Sequence, residues 1–119
     1  MEKIRSFKDL KIWQKGIEIV KDVYLLTEDF PKEETYGLTI QMKRAAVSVP
    51  SNIAEGFKRY HSKEYSQFLH IALGSAAELE TQLVIAKELG FIKNKPLDEI
   101  FEKLDHLSKM ISSLLNKLG

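Results

Sequence analysis

The stretch from Tyr36 to Arg59 places Leu38, Met42, Ala45, Val49, Ile53 and Phe57 at steps of three and four, with Pro50 among them. An α-helix gathers residues at that spacing onto one face. A proline inside a helix costs about 3 kcal/mol, because it has no N–H for the carbonyl four residues back and its ring crowds the preceding turn. The pattern predicts a helix kinked at Pro50 and ending between Gly56 and Tyr60. Ser48, Ser51 and Asn52 lie near enough in sequence to serve the freed Ala46 carbonyl, directly or through water.

The remaining periodicities are also helical. Phe7, Leu10, Trp13, Ile17, Val20 and Tyr24 form the stripe of a first helix, from about Phe7 to about Glu28, with Ser6 as its cap. Residues 29–35 form a turn in which Pro31, Glu33 and Glu34 suit entry into the second helix. Ser62 is placed to cap a third helix with Glu64 in its first turn, and Tyr65, Leu69, Ala72, Ala76, Leu79, Leu83 and Ala86 make a heptad seam. Small residues from Gly74 to Ala77 let another helix approach closely, and Gly90 reads as the C-terminal cap with Phe91 packing back. A fourth helix opens between Asn94 and Pro96 and carries Leu97, Phe101, Leu104, Leu107 or Ser108, Ile111, Leu114 or Leu115, and Leu118. Glu99 with Lys103 and Asp105 with Lys109 are acid-before-base pairs on its outer face.

With 119 residues, these elements predict a single all-α domain over residues 1–119, an antiparallel up-down-up-down four-helix bundle. Ile12, Ile19, Val23, Leu25 and Leu26 fall outside the first helix's stripe, and Phe68, Leu73 and Ile85 outside the third's. More apolar positions than a monomer needs imply burial against other subunits. The chain has no cysteine, which excludes disulfides, zinc–thiolate sites and thiol catalysis. It has no apolar leader at its start and no uncharged apolar window of membrane-spanning length, so a soluble, unprocessed, cytoplasmic protein without membrane contact is expected.

No motif of catalysis stands out. The glycines are isolated, so no phosphate-cradling loop forms, and no strand–turn–helix motif or oxyanion loop supports a serine nucleophile. His61, His70 and His106 lack the Glu-x-x-His spacing of a bundle metal site. No enzyme activity, metal or cofactor is expected. Charge is the more informative signal. The net charge is +1, but residues 40–64 hold Lys43, Arg44, Lys58, Arg59 and Lys63 against Glu55 and Glu64, five bases to two acids. Residues 1–21 hold six bases to three acids, with Lys8, Lys11 and Lys15 among them. Lys43, Lys58, Arg59 and Lys63 are candidates for phosphate contact with Lys8, Lys11 and Lys15 as a second patch, and the alternative is an ordinary solvated face. Arg44, between Lys43 and an apolar run, is read as an interface residue pairing with Glu55, Glu78 or Glu80 of another helix or subunit. Pro50 and Asn52 are read as structural, Trp13 as core, and Tyr60 as either a stacking aromatic or a plain helix-end residue.

The segments FKDLKIWQ (7–14), FP (30–31), YGLT (36–39), RAAVSVPSNIAEG (44–56), EYSQFL (64–69), GSAAELET (74–81) and LG (89–90) occur in the order found in the 23S rRNA intervening-sequence proteins, and the chain resembles that family to about residue 92. The fourth helix matches only as a heptad pattern. The resemblance implies an antiparallel four-helix bundle assembled as a homopentamer, encoded within intervening sequences of bacterial 23S rRNA genes or as a stand-alone gene. It also implies a relationship to accessory proteins of diversity-generating retroelements, which bind nucleic acid and a reverse transcriptase. Partners implied in this way are further copies of the chain, rRNA or other structured nucleic acid, and a reverse transcriptase if the gene lies in a retroelement. Arg44 and Glu55 fall at motif positions and are carried over as structural or interface residues. Two functional readings follow: a non-catalytic oligomer that binds structured RNA through basic helix faces, and a protein-interaction scaffold without direct nucleic-acid binding.

Overall fold

The computed structural model describes residues 4–93 and 96–119. Four helices carry the fold: α1 (Lys11–Thr27), α2 (Leu38–Phe57), α3 (Ser62–Glu88) and α4 (Leu97–Leu118). Short 3-10 turns precede α1 (Phe7–Asp9) and α2 (Lys32–Glu34), and no strand occurs among the described residues. At 1.5 Å per residue the 27 residues of α3 span about 40 Å, and the longest extent of the molecule is 43 Å, so α3 runs its full length. Of the expected opening of the fourth helix, Asn94 and Lys95 lie outside the described residues, as do the charges at Glu2 and Lys3.

Each helix packs against its neighbours in sequence, and α4 closes back on α1. Paired residues fix the directions. Gly16 faces Pro50 and Tyr24 faces Lys43, so residue numbers rise along α1 as they fall along α2. Ser48 meets Ser75 and Gly56 faces Phe68, which sets α2 and α3 antiparallel as well. Between α1 and α4, Lys103 reaches Asp22 while a surface hollow brings Pro96 to Leu25 and Leu26, again in opposite directions.

The core is aliphatic. Ile19, Val23, Met42, Val49, Ile53, Leu69, Leu79, Leu83, Leu104, Leu107 and Ile111 are almost completely withdrawn from solvent and form one cluster. The seam expected in α3 is observed from Leu69 on, with Leu69, Ala72, Ala76, Leu79, Leu83 and Ala86 all buried, while Tyr65 is only partly covered. In α4 the buried stripe is Leu97, Ile100, Leu104, Leu107 and Ile111, and the expected Phe101, Leu114, Leu115 and Leu118 are only partly covered.

The first helix differs from the expectation. Ser6 caps not α1 but the Phe7–Asp9 turn, through a capping box in which its hydroxyl accepts from the Lys8 N–H at 3.1 Å and Asp9 accepts from the Arg5 and Ser6 N–H groups. Leu10 is then extended, and α1 starts at Lys11. The buried face consequently runs through Ile12, Gly16, Ile19, Val23 and Leu26, while Tyr24 is exposed and Trp13 and Val20 are only partly covered. Four of the eight residues expected to face other subunits are therefore core of this chain, and Phe68 and Leu73 are partly buried. Leu25 and Ile85 remain exposed, alongside Tyr24, Val47, Ile71, Val84 and Leu89.

Helix ends follow local chemistry. The Glu34 carboxylate accepts from the Leu38 N–H at 3.2 Å, satisfying a donor at the start of α2 where Gly37 offers no side chain. His61, with extended backbone, occupies the N-cap of α3, and Ser62 is its first helical residue rather than its cap. At the other end of α3 the Phe91 N–H bonds the Ala86 carbonyl and the Gly90 N–H bonds the Lys87 carbonyl, at 2.9 and 3.0 Å. That is a Schellman closure, and it requires the left-handed φ of +77° that Gly90 adopts. Phe91 then packs on the buried ring of Phe30, 5.6 Å between centroids, tying the α1–α2 turn to the end of α3.

Polar links between helices are few. Lys103 of α4 donates to Asp22 of α1 at 2.7 Å and lies 3.7 Å from Glu18, so it turns to α1, while Asp105 and Lys109 pair along α4 at 3.0 Å. The hydrogen bond to Asp22 holds the Lys103 ammonium above the ordinary lysine value, and burial pushes the Tyr65 phenol up. Both shifts favour the protonated form in the folded chain, so the stabilisation is complete below the unfolded values near pH 10 and is lost as pH rises through the folded ones. Thermal unfolding is expected to show these two groups leaving Tm unchanged between about pH 7 and 9 and lowering it above about pH 10. Lys103→Met is expected to make the alkaline fall shallower; an identical fall would contradict the role given to Lys103.

Candidate nucleic-acid interface

Antiparallel packing brings the start of α1, the end of α2 and the start of α3 to the same end of the bundle. Three segments distant in sequence meet there. Lys58, the C-cap of α2, holds its ammonium 5.9 Å from the centroid of the Phe7 ring, and the Arg59 guanidinium lies 5.0 Å from that of Phe68. A cation over an aromatic face is attracted by the ring quadrupole while its other side stays open to solvent. Both side chains are thus steered by aromatic platforms while their residues stay exposed. Phe7, Ala54, Glu55, Lys58 and Arg59 line an open groove of about 410 Å³ between the Phe7 turn and α2.

Lys8 follows Phe7, Lys11 opens α1 and Lys63 is the second residue of α3, and all three are exposed. Lys8, Lys11, Lys58, Arg59 and Lys63, drawn from both basic patches expected from the sequence, therefore lie toward the same end of the bundle. Arg5 adds a further exposed base to the same end. It was countable in the sequence, but its place depends on the capped turn that follows it. Asp9 is the acid at this end of the chain, its carboxylate turned back onto the Arg5 and Ser6 N–H groups, which stabilise its ionised form. Arg59 leans over Phe68 and makes no ion pair with Glu55, four residues before it, among the described residues.

Two other candidates lie elsewhere. Lys43 sits over the Tyr24 ring at 4.6 Å, and its separation from Lys58 corresponds to about 22 Å along α2. Lys15 is partly covered and pairs with Glu18 at 3.7 Å.

The residues read as structural form a separate group near the middle of α2. Pro50 is buried against Gly16, where even a Cβ would come within 3.2 Å of the proline ring. The Asn52 amide donates to the Ser48 carbonyl at 2.8 Å and to the Ser48 hydroxyl at 2.9 Å, and that hydroxyl meets Ser75 at 2.8 Å. The polar side chains around Pro50 thus link α2 to α3; Asn52 serves the Ser48 carbonyl rather than that of Ala46, because its amide reaches back one turn. Arg44 is exposed and makes no ion pair among the described residues. Glu55 and Glu80 are also exposed, and Glu78 accepts from Gln82 at 3.2 Å. Among the described residues no group of three or more histidine or carboxylate side chains is placed to hold a metal, and no helix is long and apolar enough to cross a membrane.

A family model described as 23S rRNA-intervening sequence protein matches residues 8–113. The chain belongs to this family. The match continues through most of α4, where the sequence alone showed only a heptad pattern. A solved structure from Bacteroides thetaiotaomicron VPI-5482, described as a protein of unknown function from the S23 ribosomal protein family, has the same fold, with a TM-score of 0.79. At 21% identity it covers 88% of this chain, which covers 95% of that one. No curated protein matches the chain.

Proposed function

We propose that this intervening-sequence family protein is a non-catalytic homo-oligomer, pentameric in the reading the family resemblance suggests, that binds structured RNA through the basic end of each bundle. The observation that carries the reading is the placing of exposed bases at one end of the bundle, with Lys58 held over the ring of Phe7, the residue before Lys8, and Arg59 over the ring of Phe68. Fixed, exposed cations suit phosphate oxygens, and contacts of this kind position a nucleic acid without reading its sequence. The family's name, which ties its members to 23S rRNA, supports RNA as the ligand. Exposed Leu25, Ile71, Val84 and Ile85 support self-association, with Arg44 free to meet a carboxylate of another copy. A cytoplasmic setting, with a reverse transcriptase as partner if the gene lies in a retroelement, belongs to the same proposal.

The test is RNA binding followed by fluorescence anisotropy across a salt series. Wild-type affinity is expected to fall steeply with salt. Lys58→Ala combined with Arg59→Ala is expected to weaken binding on the order of tenfold and to flatten the log–log salt slope by about 1.4 to 1.8, as two lost phosphate contacts require. An unchanged slope would remove these residues from the interface.

A further inference from the structure

We propose that the exposed ring of Tyr60 stacks on an unpaired base, so that the basic end selects RNA presenting single-stranded segments over continuous duplex; this rests on the RNA-binding reading above. Tyr60 lies in the short link between α2 and α3 and has a φ of +61°, the one positive value at a non-glycine position among the described residues. The link reverses the chain direction within a few residues, and a left-handed residue makes that reversal, as Gly90 does after α3. Glycine or asparagine takes this conformation readily, whereas a bulky side chain there is strained by its own Cβ.

Burial does not offset the strain. The Tyr60 residue is 85% exposed, while the neighbouring aromatics Phe57, Tyr65 and Phe68 are partly buried, and Phe57 and Tyr65 pack edge to face at 6.2 Å. A residue that neither suits its backbone nor contributes to the core is a candidate for a role toward a ligand. Its surroundings say which ligand. Lys58, Arg59, His61 and Lys63 flank it in the chain, so phosphates drawn to those cations bring bases to a free aromatic face. A base inside a duplex has both faces covered by its neighbours, and only an unpaired base can be splayed onto such a ring.

Tyr36 supplies the internal control. It is 94% exposed but sits at the opposite end of α2, just after the Lys32–Glu34 turn, in which acids outnumber bases.

The experiment measures anisotropy of a labelled 12-nucleotide single-stranded RNA and of the same sequence as a blunt duplex, against the full-length protein. Wild type is expected to prefer the single strand on the order of tenfold, the scale of one base–aromatic stack. Tyr60→Ala and Tyr60→Gly are expected to abolish the preference without changing the salt slope, while Tyr60→Phe and Tyr36→Ala retain it. Tyr60→Gly is also expected to keep or raise the Tm, since glycine adopts positive φ freely, which separates lost stacking from lost folding. Equal wild-type affinity for both RNAs, or a preference that survives in Tyr60→Ala, would overturn stacking while leaving RNA binding intact. Failure of wild type to bind either RNA would overturn the functional reading and the stacking proposal with it.

Discussion

Leu79→Ala is expected to destabilise the fold by about 2 to 5 kcal/mol. Leu79 is fully buried at the centre of the α3 seam, in one cluster with residues of all four helices. Truncation removes the transfer free energy of the deleted carbons and leaves a cavity that a bundle closed on all sides fills only in part. For a domain whose total stability is about 5 to 15 kcal/mol, that loss is a large fraction. The denaturation midpoint is expected to fall with the slope of the transition unchanged, at fixed protein concentration so that assembly does not distort the comparison. A loss below about 1 kcal/mol would contradict the central place given to this residue.

The second large effect is a change of sign. Alanine in place of a helical glycine ordinarily stabilises by about 0.5 to 1 kcal/mol. At Gly56 the added Cβ would lie 2.8 Å from the Phe68 Cβ and 3.0 Å from the Tyr65 ring, with the Tyr65 carbonyl oxygen at 3.3 Å. Phe68 Cβ sits at the root of its side chain, so it can yield only if α2 and α3 move apart. Gly56→Ala is therefore expected to destabilise by about 1 to 3 kcal/mol. Gly74, exposed in the middle of α3 with nothing within 4 Å of an added Cβ, is expected to show the ordinary gain on the same substitution. Urea unfolding of the two variants checks the pair. Equal effects of either sign would mean that α2 and α3 do not approach at Gly56.

Helices α2 and α3 were legible because their buried faces, from Met42 to Ile53 and from Leu69 to Ala86, carry apolar or small side chains at almost every step, Gln82 being the polar member. The face of α1 was not, for two local reasons. Its buried stripe passes through Gly16, which has no side chain to mark the period, and the Ser6 cap belongs to a 3-10 turn that an extended Leu10 separates from the helix. A continuous stripe from Phe7 to Tyr24 fits the spacing rule as well as the true one does. Only the packing of Pro50 on Gly16 decides between them. The same limit applied to the candidate site. The local charges of Lys58, Arg59 and Lys63 could be read directly, but the meeting of Lys58 with the Phe7 turn is a tertiary fact, and the distance from Lys43 follows only once α2 is drawn as a single helix. The positive φ of Tyr60 left no trace, because glycine and asparagine announce such a position and tyrosine does not.

The most direct test of the account is size-exclusion chromatography with light scattering on protein purified from its host, reading the 260 to 280 nm absorbance ratio before and after nuclease treatment. An oligomer carrying nuclease-sensitive material is expected, with the carried material reduced when Lys58 and Arg59 are replaced by alanine. A clean oligomer with no nucleic acid would contradict RNA binding, and a monomer would contradict assembly through the exposed apolar positions of α1 and α3.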